Sequence, residues 1–520
     1  MAQTGPDRVR NTTVRAFRAA AGRLQAASRL SRTGRVTREV ASATEPIPDG
    51  LVAVVKRDCP TCELVVPVLR ALADAGAALC IYSQDDPAFP PALAVRDDRG
   101  LETSYRLGVS TVPTVLRVQG GREIARVEGW DRPEWEALTG AVGLGPDLPA
   151  YRPGCGSRSA EPNIAADLAV RVGGVLASRL IAPGELEDEA ELCFARGWTD
   201  GLPVVPPTPV RVLAMLEGTR RSPDEVVAVV PPDLVDCTVE KVALNAVLAG
   251  CRPDYLPVVL TAVEAACTDA FNAHGILATT WFSGPVVIVN GPIAGQIGMN
   301  AAGNCLGQGN RANATIGRAL QLVIRNVGGG RPGEVDRATL GTPGKFTSCF
   351  AEREHDSPWE SLATERAGLA PGTSAVTLFA GGGVHGIADQ QSRTPESLAR
   401  TFAAVLRVVF HPKLVLIADA ILVVSPEHAR VFCDAGWSKA RLREELEALL
   451  TLPGRELVRG AGGIAEGLPE AFAGADLPKF RPGGLLIVHA GGTAGMFSAV
   501  IGGWASGAIG SDPVTMEMKP

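Results

Sequence analysis

Short apolar runs alternate with amphipathic stretches along most of the chain after residue 49. Residues 51–57 open with five consecutive apolar side chains, which predicts a buried strand, and residues 60–75 carry apolar positions at helical spacing. The same pattern predicts strands at 78–83, 114–119 and 123–127 and helices at 102–107 and 131–141. Because strands and helices alternate, we expect an α/β domain over residues 49–145.

A second and longer alternating region covers residues 185–520. Strands are predicted at 286–290, 375–380, 413–418, 421–424 and 485–489, and helices at 185–196, 209–217, 239–273 with a break at 250–253, 312–327, 395–408, 426–435 and 438–450. This order predicts a larger α/β domain with a parallel or mixed sheet. The glycine- and proline-rich composition between the two regions predicts a linker over residues 146–184.

Residues 1–48 form a basic leader with nine arginines between Arg8 and Arg38. Its apolar residues are isolated, so it lacks the apolar core of a signal peptide. We expect a disordered tail. A docking arm for an acidic partner or surface is the alternative.

Composition narrows the class of protein. The 520 residues have a net charge of −6 and only 5% aromatic residues, which argues against nucleic-acid binding. No apolar run reaches about 18 residues, so no transmembrane helix is expected. Eleven cysteines, an odd number scattered along a long chain, indicate a reducing cytoplasm with one redox pair rather than a disulfide scaffold.

That pair is the Cys59-Pro60-Thr61-Cys62 segment, which stands between the predicted strand and helix. A cysteine at a helix N-terminus faces unpaired N–H groups and the positive end of the helix dipole, so the pKa of Cys59 should be lowered. We expect Cys59 to be the nucleophile and Cys62, one turn later, to resolve its mixed disulfides. A redox-active Cys59–Cys62 disulfide is the only cofactor-like group expected, and no metal ligands are assigned.

Val112-Pro113-Thr114 enters the next predicted strand some fifty residues later. With Cys-x-x-Cys at a helix start, this segment resembles the cis-proline loop of the thioredoxin family, and the resemblance covers residues 49–142. It implies that Pro113 packs against the reactive cysteines and that its loop offers backbone groups to an extended substrate. A structural zinc half-site or a redox-inactive member of the family remains an alternative.

Cys155 lies in the predicted linker, within a glycine- and proline-rich segment beside Arg152 and Arg158. An exposed thiol there could take electrons from Cys59 and Cys62 or swing between sites. The alternative is an incidental linker cysteine.

The segment at residues 197–208, Gly-Trp-Thr-Asp-Gly-Leu-Pro-Val-Val-Pro-Pro-Thr, resembles one found in a group of uncharacterised bacterial proteins. That resemblance implies a redox setting and nothing finer. Asp200 is the segment's only titratable side chain and is a candidate substrate-binding residue. A purely structural wrap over the core is the alternative.

The larger domain contains six further candidates in glycine-rich or polar segments. Asn304, Cys305 and Arg311 precede a predicted helix, where a glycine-rich backbone could cradle an anion. Cys349 lies in a polar run. His385 and His489 each stand in a glycine run after a predicted strand, where α/β sheets bind ligands. We expect Cys305, Cys349, Arg311, His385 and His489 to share one cavity, although each histidine alone could simply bond loop carbonyls.

These features predict a thiol-dependent redox enzyme in the cytoplasm. The thioredoxin-like domain would supply electrons to the larger domain, which would act on a small anionic or sulfur-containing molecule, with a reductase or thiol donor as partner. Neither nucleic acid nor membrane is expected as a partner. The alternative is a redox-regulated binding protein for a soft metal, held by Cys305 or Cys349, or for a protein partner.

Overall fold

The structure, a computed structural model, describes residues 47–181, 183–184 and 187–519. The described residues divide into two compact units, one that ends at residue 176 and one that begins at residue 177. Apart from residues 47 and 48, the predicted basic leader lies outside the described residues. Helices and mixed sheets occur in both units, so the predicted α/β fold class is confirmed.

The elements of the first unit follow the predicted order. They are β1 (Gly50–Val55), α1 (Pro60–Asp74), β2 (Leu79–Ser83), β3 (Val95–Asp97), α2 (Glu102–Arg106), β4 (Thr111–Val112), β5 (Thr114–Gln119), β6 (Arg122–Glu128), β7 (Trp130–Asp131), α3 (Arg132–Thr139), β8 (Tyr151–Arg152), β9 (Cys155–Gly156) and α4 (Pro162–Arg171). Strands β1 to β3 and β5 to β6 form one sheet in the order β3-β2-β1-β5-β6. Strand β1 is central, parallel to β2 and antiparallel to β5, and its last five residues are buried.

Residues 151–171 differ from the linker expected over 146–184. Strand β8 pairs with β7, β9 pairs with β4, and α4 follows directly, all inside the first unit. The indole of Trp130 donates to Pro149 O over 2.6 Å, which fixes the approach to β8. Cys155 is therefore part of a folded unit and is not on a mobile connection.

The second unit consists of a large sheet, two smaller two-stranded antiparallel sheets and many helices. Its helices are α5 (Glu189–Ala195), α6 (Pro209–Leu216), α7 (Val239–Ala249), α8 (Leu256–Ala266), α9 (Ala273–Ala278), α10 (Pro292–Gln296), α11 (Arg311–Asn326), α12 (Leu362–Ala367), α13 (Pro395–Leu406), α14 (Pro426–Asp434), α15 (Lys439–Leu450) and α16 (Gly454–Leu457). Its strands are β10 (Val226–Val230), β11 (Val235–Thr238), β12 (Gly284–Asn290), β13 (Cys349–Ala351), β14 (Ala375–Ala388), β15 (Ala418–Val424), β16 (Thr451–Pro453), β17 (Asp476–Pro478), β18 (Leu485–His489), β19 (Phe497–Ala505) and β20 (Val514–Glu517).

The large sheet has the order β13-β12-β14-β19-β15-β18, with β20 also paired to β14. The pairs β12–β13 and β15–β18 are parallel and the other pairs are antiparallel, so the sheet is mixed, as predicted. Strands β12 and β15 are buried at every residue because apolar side chains cover both faces. One of those apolar layers contains the buried face of helices α13 to α15.

Two strand predictions need correction. The strand expected at 413–418 is not formed, and β15 instead runs from Ala418 to Val424. The strand expected at 375–380 continues to Ala388, through the glycine run that was interpreted as a loop. In the part of the chain that the structure describes, no helix combines the length and the apolar character needed to cross a membrane.

Candidate active site

Cys59 caps the N-terminus of helix α1. Strand β1 ends at Val55, and the connecting loop is held by Asp85, whose carboxylate accepts from the backbone N–H groups of Arg57 and Asp58. The sulfur of Cys59 then accepts from the backbone N–H of Cys62 over 3.3 Å. Proline at the first helical position needs no N–H partner, so the Cys-Pro-Thr-Cys sequence itself favours this geometry.

The pKa values of Cys59, the N-cap of α1, and of Cys62, inside α1, are shifted in opposite directions. The pKa of Cys59 is lowered to about 5, above all by a hydrogen bond from the Cys62 thiol, against burial, with further hydrogen bonds from the Cys155 thiol and from backbone N–H groups. The pKa of Cys62 is raised, first by burial and next by that same bond to Cys59. At neutral pH the pair is thus a Cys59 thiolate bonded to a Cys62 thiol. The nucleophile assignment stays a prediction that this geometry supports.

Pro113 lies beside this pair at the end of β4. The Val112–Pro113 peptide bond is cis, the isomer that the family resemblance implies. Val112 O lies 3.5 Å from the sulfur of Cys59, within reach of a protonated thiol. Pro113 O accepts from Gly129 N, which joins this loop to the turn between β6 and β7. The predicted neighbours Cys59 and Pro113 are therefore brought together.

Cys155 is the third cysteine of the site. In the antiparallel pair of β4 and β9, Cys155 is opposite Val112 and Gly156 is opposite Thr111. The Cys155 side chain is half-buried and donates to the Cys59 sulfur, and its own pKa is raised by burial and by that bond. Cys62 and Cys155 thus both contact the sulfur of Cys59.

Contacts on both sides of Cys155 hold its strand in place. The hydroxyl of Thr61, inside the Cys-x-x-Cys segment, donates to Pro153 O over 2.7 Å. Ser157 N donates to Ser110 O over 3.0 Å, and the Ser157 hydroxyl accepts from the side chain of buried Gln84 over 2.7 Å. Sequence reasoning missed Thr61 and Gln84 because their partners lie far away in the chain.

Cys305, Cys349, Asn304 and Arg311 of the second unit are buried or engaged in other bonds. Burial raises the pKa of the Cys305 thiol to about 11, and it also raises the pKa of Cys349. Asn304 has a positive φ of 60° and its amide donates to Gln308 O. The Arg311 guanidinium donates to Gly250 O over 2.9 Å.

Asp200 forms an ion pair inside the second unit. Its two carboxylate oxygens accept from Arg318 on helix α11 over 2.8 and 2.7 Å, and both side chains are largely buried. Arg318 also donates to Leu202 O and Pro203 O, so it fixes residues 200–203 of the 197–208 segment to the helix. This arrangement favours the structural alternative for Asp200.

The two histidines lie apart. His385 is exposed within β14, three residues before the strand ends at Ala388, whereas His489 is buried at the carboxyl end of β18. Strands β19 and β15 separate β14 from β18. Only His489 therefore lies at a strand end, and two strands lie between the histidines that were expected to share one cavity. The loop after His489 does contact the Cys305 loop, where Gly491 N donates to Ala301 O.

Burial lowers the pKa of His489, and its Nδ1 bonds Arg353 O over 3.0 Å. Beside it, at the ends of β12 and β13, is a buried cluster that sequence reasoning missed. The amide of Asn290 donates to Glu352 over 2.6 Å and to Glu354 over 2.9 Å, and burial raises the pKa of Glu352. The only available signal was the polar residue Asn290 at the end of the predicted strand 286–290, because the strand before Glu352 was not predicted.

An open cleft of about 420 Å³ lies elsewhere in the second unit, between the end of α6 and helix α8. Arg220, Arg221 and Lys519 line it. Two of these cations already pair with Glu264, over 2.9 Å from Arg221 and 3.1 Å from Lys519. Within the described ranges, no three histidine, cysteine, aspartate or glutamate side chains are grouped so that they could hold a metal ion.

In comparisons with protein-family models, curated proteins and solved structures, nothing matched this chain.

Proposed function

We propose that this chain is a thiol-dependent redox enzyme in which Cys59 and Cys62 exchange electrons with disulfides. The observation that supports this most directly is the contrast within the pair, a thiolate with a pKa of about 5 bonded to a thiol whose pKa is raised. A thiolate is the reactive form of cysteine, and a low pKa also makes Cys59 a good leaving group.

The exchange runs in two steps. The Cys59 thiolate attacks one sulfur of a small disulfide, and the other sulfur leaves as a thiolate. Formation of this mixed disulfide removes the negative charge on Cys59, which was one cause of the raised pKa of Cys62. Cys62 can then lose its proton and attack the Cys59 sulfur, which releases the second thiolate and leaves a Cys59–Cys62 disulfide.

In this proposal the second unit converts the substrate. It would act on a small anionic or sulfur-containing molecule and receive electrons from Cys59 and Cys62, with a thiol donor or reductase restoring the dithiol. Attachment of both units to one chain raises the effective concentration of the electron donor to roughly millimolar. A cytoplasmic location fits this proposal, since the cytoplasm keeps thiols reduced.

The exchange is tested with the reduced full-length chain and oxidised glutathione. The wild type should form one Cys59–Cys62 disulfide and release two glutathiones, as measured by peptide mapping without reductant. Cys59→Ser should abolish this, and Cys80→Ser, which changes a half-buried thiol of the same unit, should not. Unchanged glutathione release in Cys59→Ser would refute the proposed exchange.

The role proposed for the second unit is tested by measuring how fast the full chain consumes a substrate. With dithiothreitol as reductant and thiosulfate as a small sulfur-containing anion, the wild type should consume the anion faster than Cys59→Ser/Cys62→Ser. Equal rates would show that the cysteine pair supplies no electrons to that reaction.

A further inference from the structure

The edge of strand β4 is already occupied by the chain itself. An exposed strand edge is a common docking place for an extended peptide, which adds one more strand through backbone hydrogen bonds. Here β9 takes that place beside the reactive cysteine, with Cys155 opposite Val112. The carbonyl of Val112 is the one that lies 3.5 Å from the sulfur of Cys59. Cys155 is thus positioned as the cysteine of a docked peptide would be.

The same segment covers the nucleophile. The Cys59 residue is only 1% exposed, whereas Cys155 next to it is half-buried and can be reached from solvent. An outside thiol or disulfide therefore meets Cys155 before Cys59. Cys155 therefore has the more accessible sulfur, and Cys59 has the more reactive one.

The segment is fitted closely to its place. A Cβ atom added to Gly154 would lie 2.4 Å from Thr111 Cγ2 and 2.7 Å from Val112 O, so only glycine fits there. A Cβ atom added to Gly156 would meet nothing within 4 Å. Thr61 adds its hydrogen bond to Pro153 O from the cysteine side. The sequence suggested that Gly154 is a flexible linker residue, but the structure requires glycine there because the packing is close.

We infer that strand β9 is an in-chain substrate of the Cys59–Cys62 pair, with Cys155 as a third redox residue through which small thiols and disulfides reach the buried pair. This inference rests on the proposed exchange at Cys59 and Cys62. It also sets the substrate class. Small thiols and disulfides can react at Cys155, whereas an extended peptide finds the edge of β4 filled.

The exchange within the unit needs no outside oxidant. The Cys155 thiol loses its proton and attacks the Cys59 sulfur of the Cys59–Cys62 disulfide. A Cys59–Cys155 bond forms, the Cys59–Cys62 bond breaks, and the electron pair and the proton go to the Cys62 sulfur. A small outside thiolate can then attack the Cys155 sulfur, because the low pKa of Cys59 makes it the better leaving group.

The first experiment uses the full chain with Cys62→Ser and oxidised glutathione. We expect a Cys59–Cys155 disulfide and release of two glutathiones, because Cys155 replaces the missing resolving thiol. In Cys62→Ser/Cys155→Ser, any glutathione bound to Cys59 should remain there. A lasting Cys59–glutathione adduct in the single variant, or a bond from Cys59 to another cysteine, would overturn the inference but leave the proposed exchange intact. Failure of Cys59 to react in every variant would refute the proposed exchange instead.

The second experiment measures how well the segment covers Cys59. Iodoacetamide should alkylate Cys59 about 10- to 100-fold faster in Gly154→Ala than in the wild type, because the new methyl group displaces the segment. The matched control Gly156→Ala should leave the rate unchanged. Thr61→Val, which removes only the bond to Pro153 O, should raise the rate about three- to tenfold. Rates equal to the wild type in both Gly154→Ala and Thr61→Val, with circular dichroism unchanged, would overturn the inference.

Discussion

The pH dependence of Cys59 reactivity is the sharpest test of the electrostatics at this site. With a pKa of about 5, Cys59 is about 99% thiolate at pH 7, whereas a thiol with the reference pKa of 9.0 is about 1% thiolate. The low pKa also reduces the intrinsic nucleophilicity. A Brønsted coefficient of about 0.45 over four pKa units corresponds to a loss of about 60-fold. At pH 7 the two effects nearly cancel.

The discriminating range is therefore mildly acidic. At pH 5.5 Cys59 is still about three-quarters thiolate, and the reference thiol is about 0.03% thiolate. After the nucleophilicity loss, Cys59 should react about 40-fold faster than an equally accessible ordinary thiol. Because Cys59 is buried, its absolute rate is reduced at every pH by the same covering segment. The midpoint of the rate profile, and not the rate itself, measures the pKa.

The assay is iodoacetamide alkylation of the reduced full-length chain between pH 4 and pH 10, with each cysteine quantified by peptide mass spectrometry. Cys59 should show a midpoint near pH 5, and Cys62→Ala should move the midpoint upward because it removes the main hydrogen bond to the thiolate. Cys80 provides an internal comparison on β2 of the same unit. A Cys59 midpoint at or above pH 8, or one that Cys62→Ala leaves unchanged, would refute the reasoning.

Three further outcomes are expected. Because the pKa of folded Cys59 lies below its unfolded value, the stability that its thiolate gives the reduced first unit is complete above pH 9 and disappears as pH falls through about 5. Between pH 7 and pH 4 the wild type should therefore lose up to about 3 kcal/mol more free energy of unfolding in urea than Cys59→Ser does. Equal losses in the two proteins would contradict this. Arg318→Ala should destabilise the second unit by about 3 kcal/mol by leaving Asp200 buried without its partner, and a double-mutant cycle with Asp200→Ala that shows no coupling would exclude the ion pair as the cause. Gly317→Ala should lower the free energy of unfolding by about 1–3 kcal/mol, because the new Cβ would lie 2.6 Å from a neighbouring hydroxyl. Gly295→Ala has open space around it and should be neutral or slightly stabilising, so similar melting temperatures for the two variants would contradict the packing argument.

Local patterns predicted the elements around Cys59 well. Predicted and observed bounds for α1, β2 and β5 agree within a residue, because periodicity and capping are encoded in neighbouring residues. The strand-to-helix junction that positions Cys59 is also a local feature. This is why the nucleophile could be chosen from the sequence alone.

Features that depend on distant partners were not predictable in the same way. The pairing of β9 with β4 involves two residues on each strand, too few for any period, and Gly154 is a signal of both flexibility and close packing. Asp200 could not be recognised as half of an ion pair because Arg318 lies 118 residues later. His385 was assigned to a loop because glycines surround it, yet β19 keeps that stretch extended.

The position of β20 determines how long the second unit remains incomplete during its synthesis. On one side β14 pairs with β12, which precedes it in the chain, and on the other side with β19 and β20, which follow it. The hydroxyls of Thr377 and Thr515 are 2.9 Å apart across the last of these pairs but separated by 138 residues. At about 5–20 residues per second, a ribosome needs roughly 7–28 s to cover that distance. Throughout this time the central, apolar strand β14 has one unpaired edge in the nascent chain. Chaperones or early pairing with β19 must prevent that edge from contacting other chains.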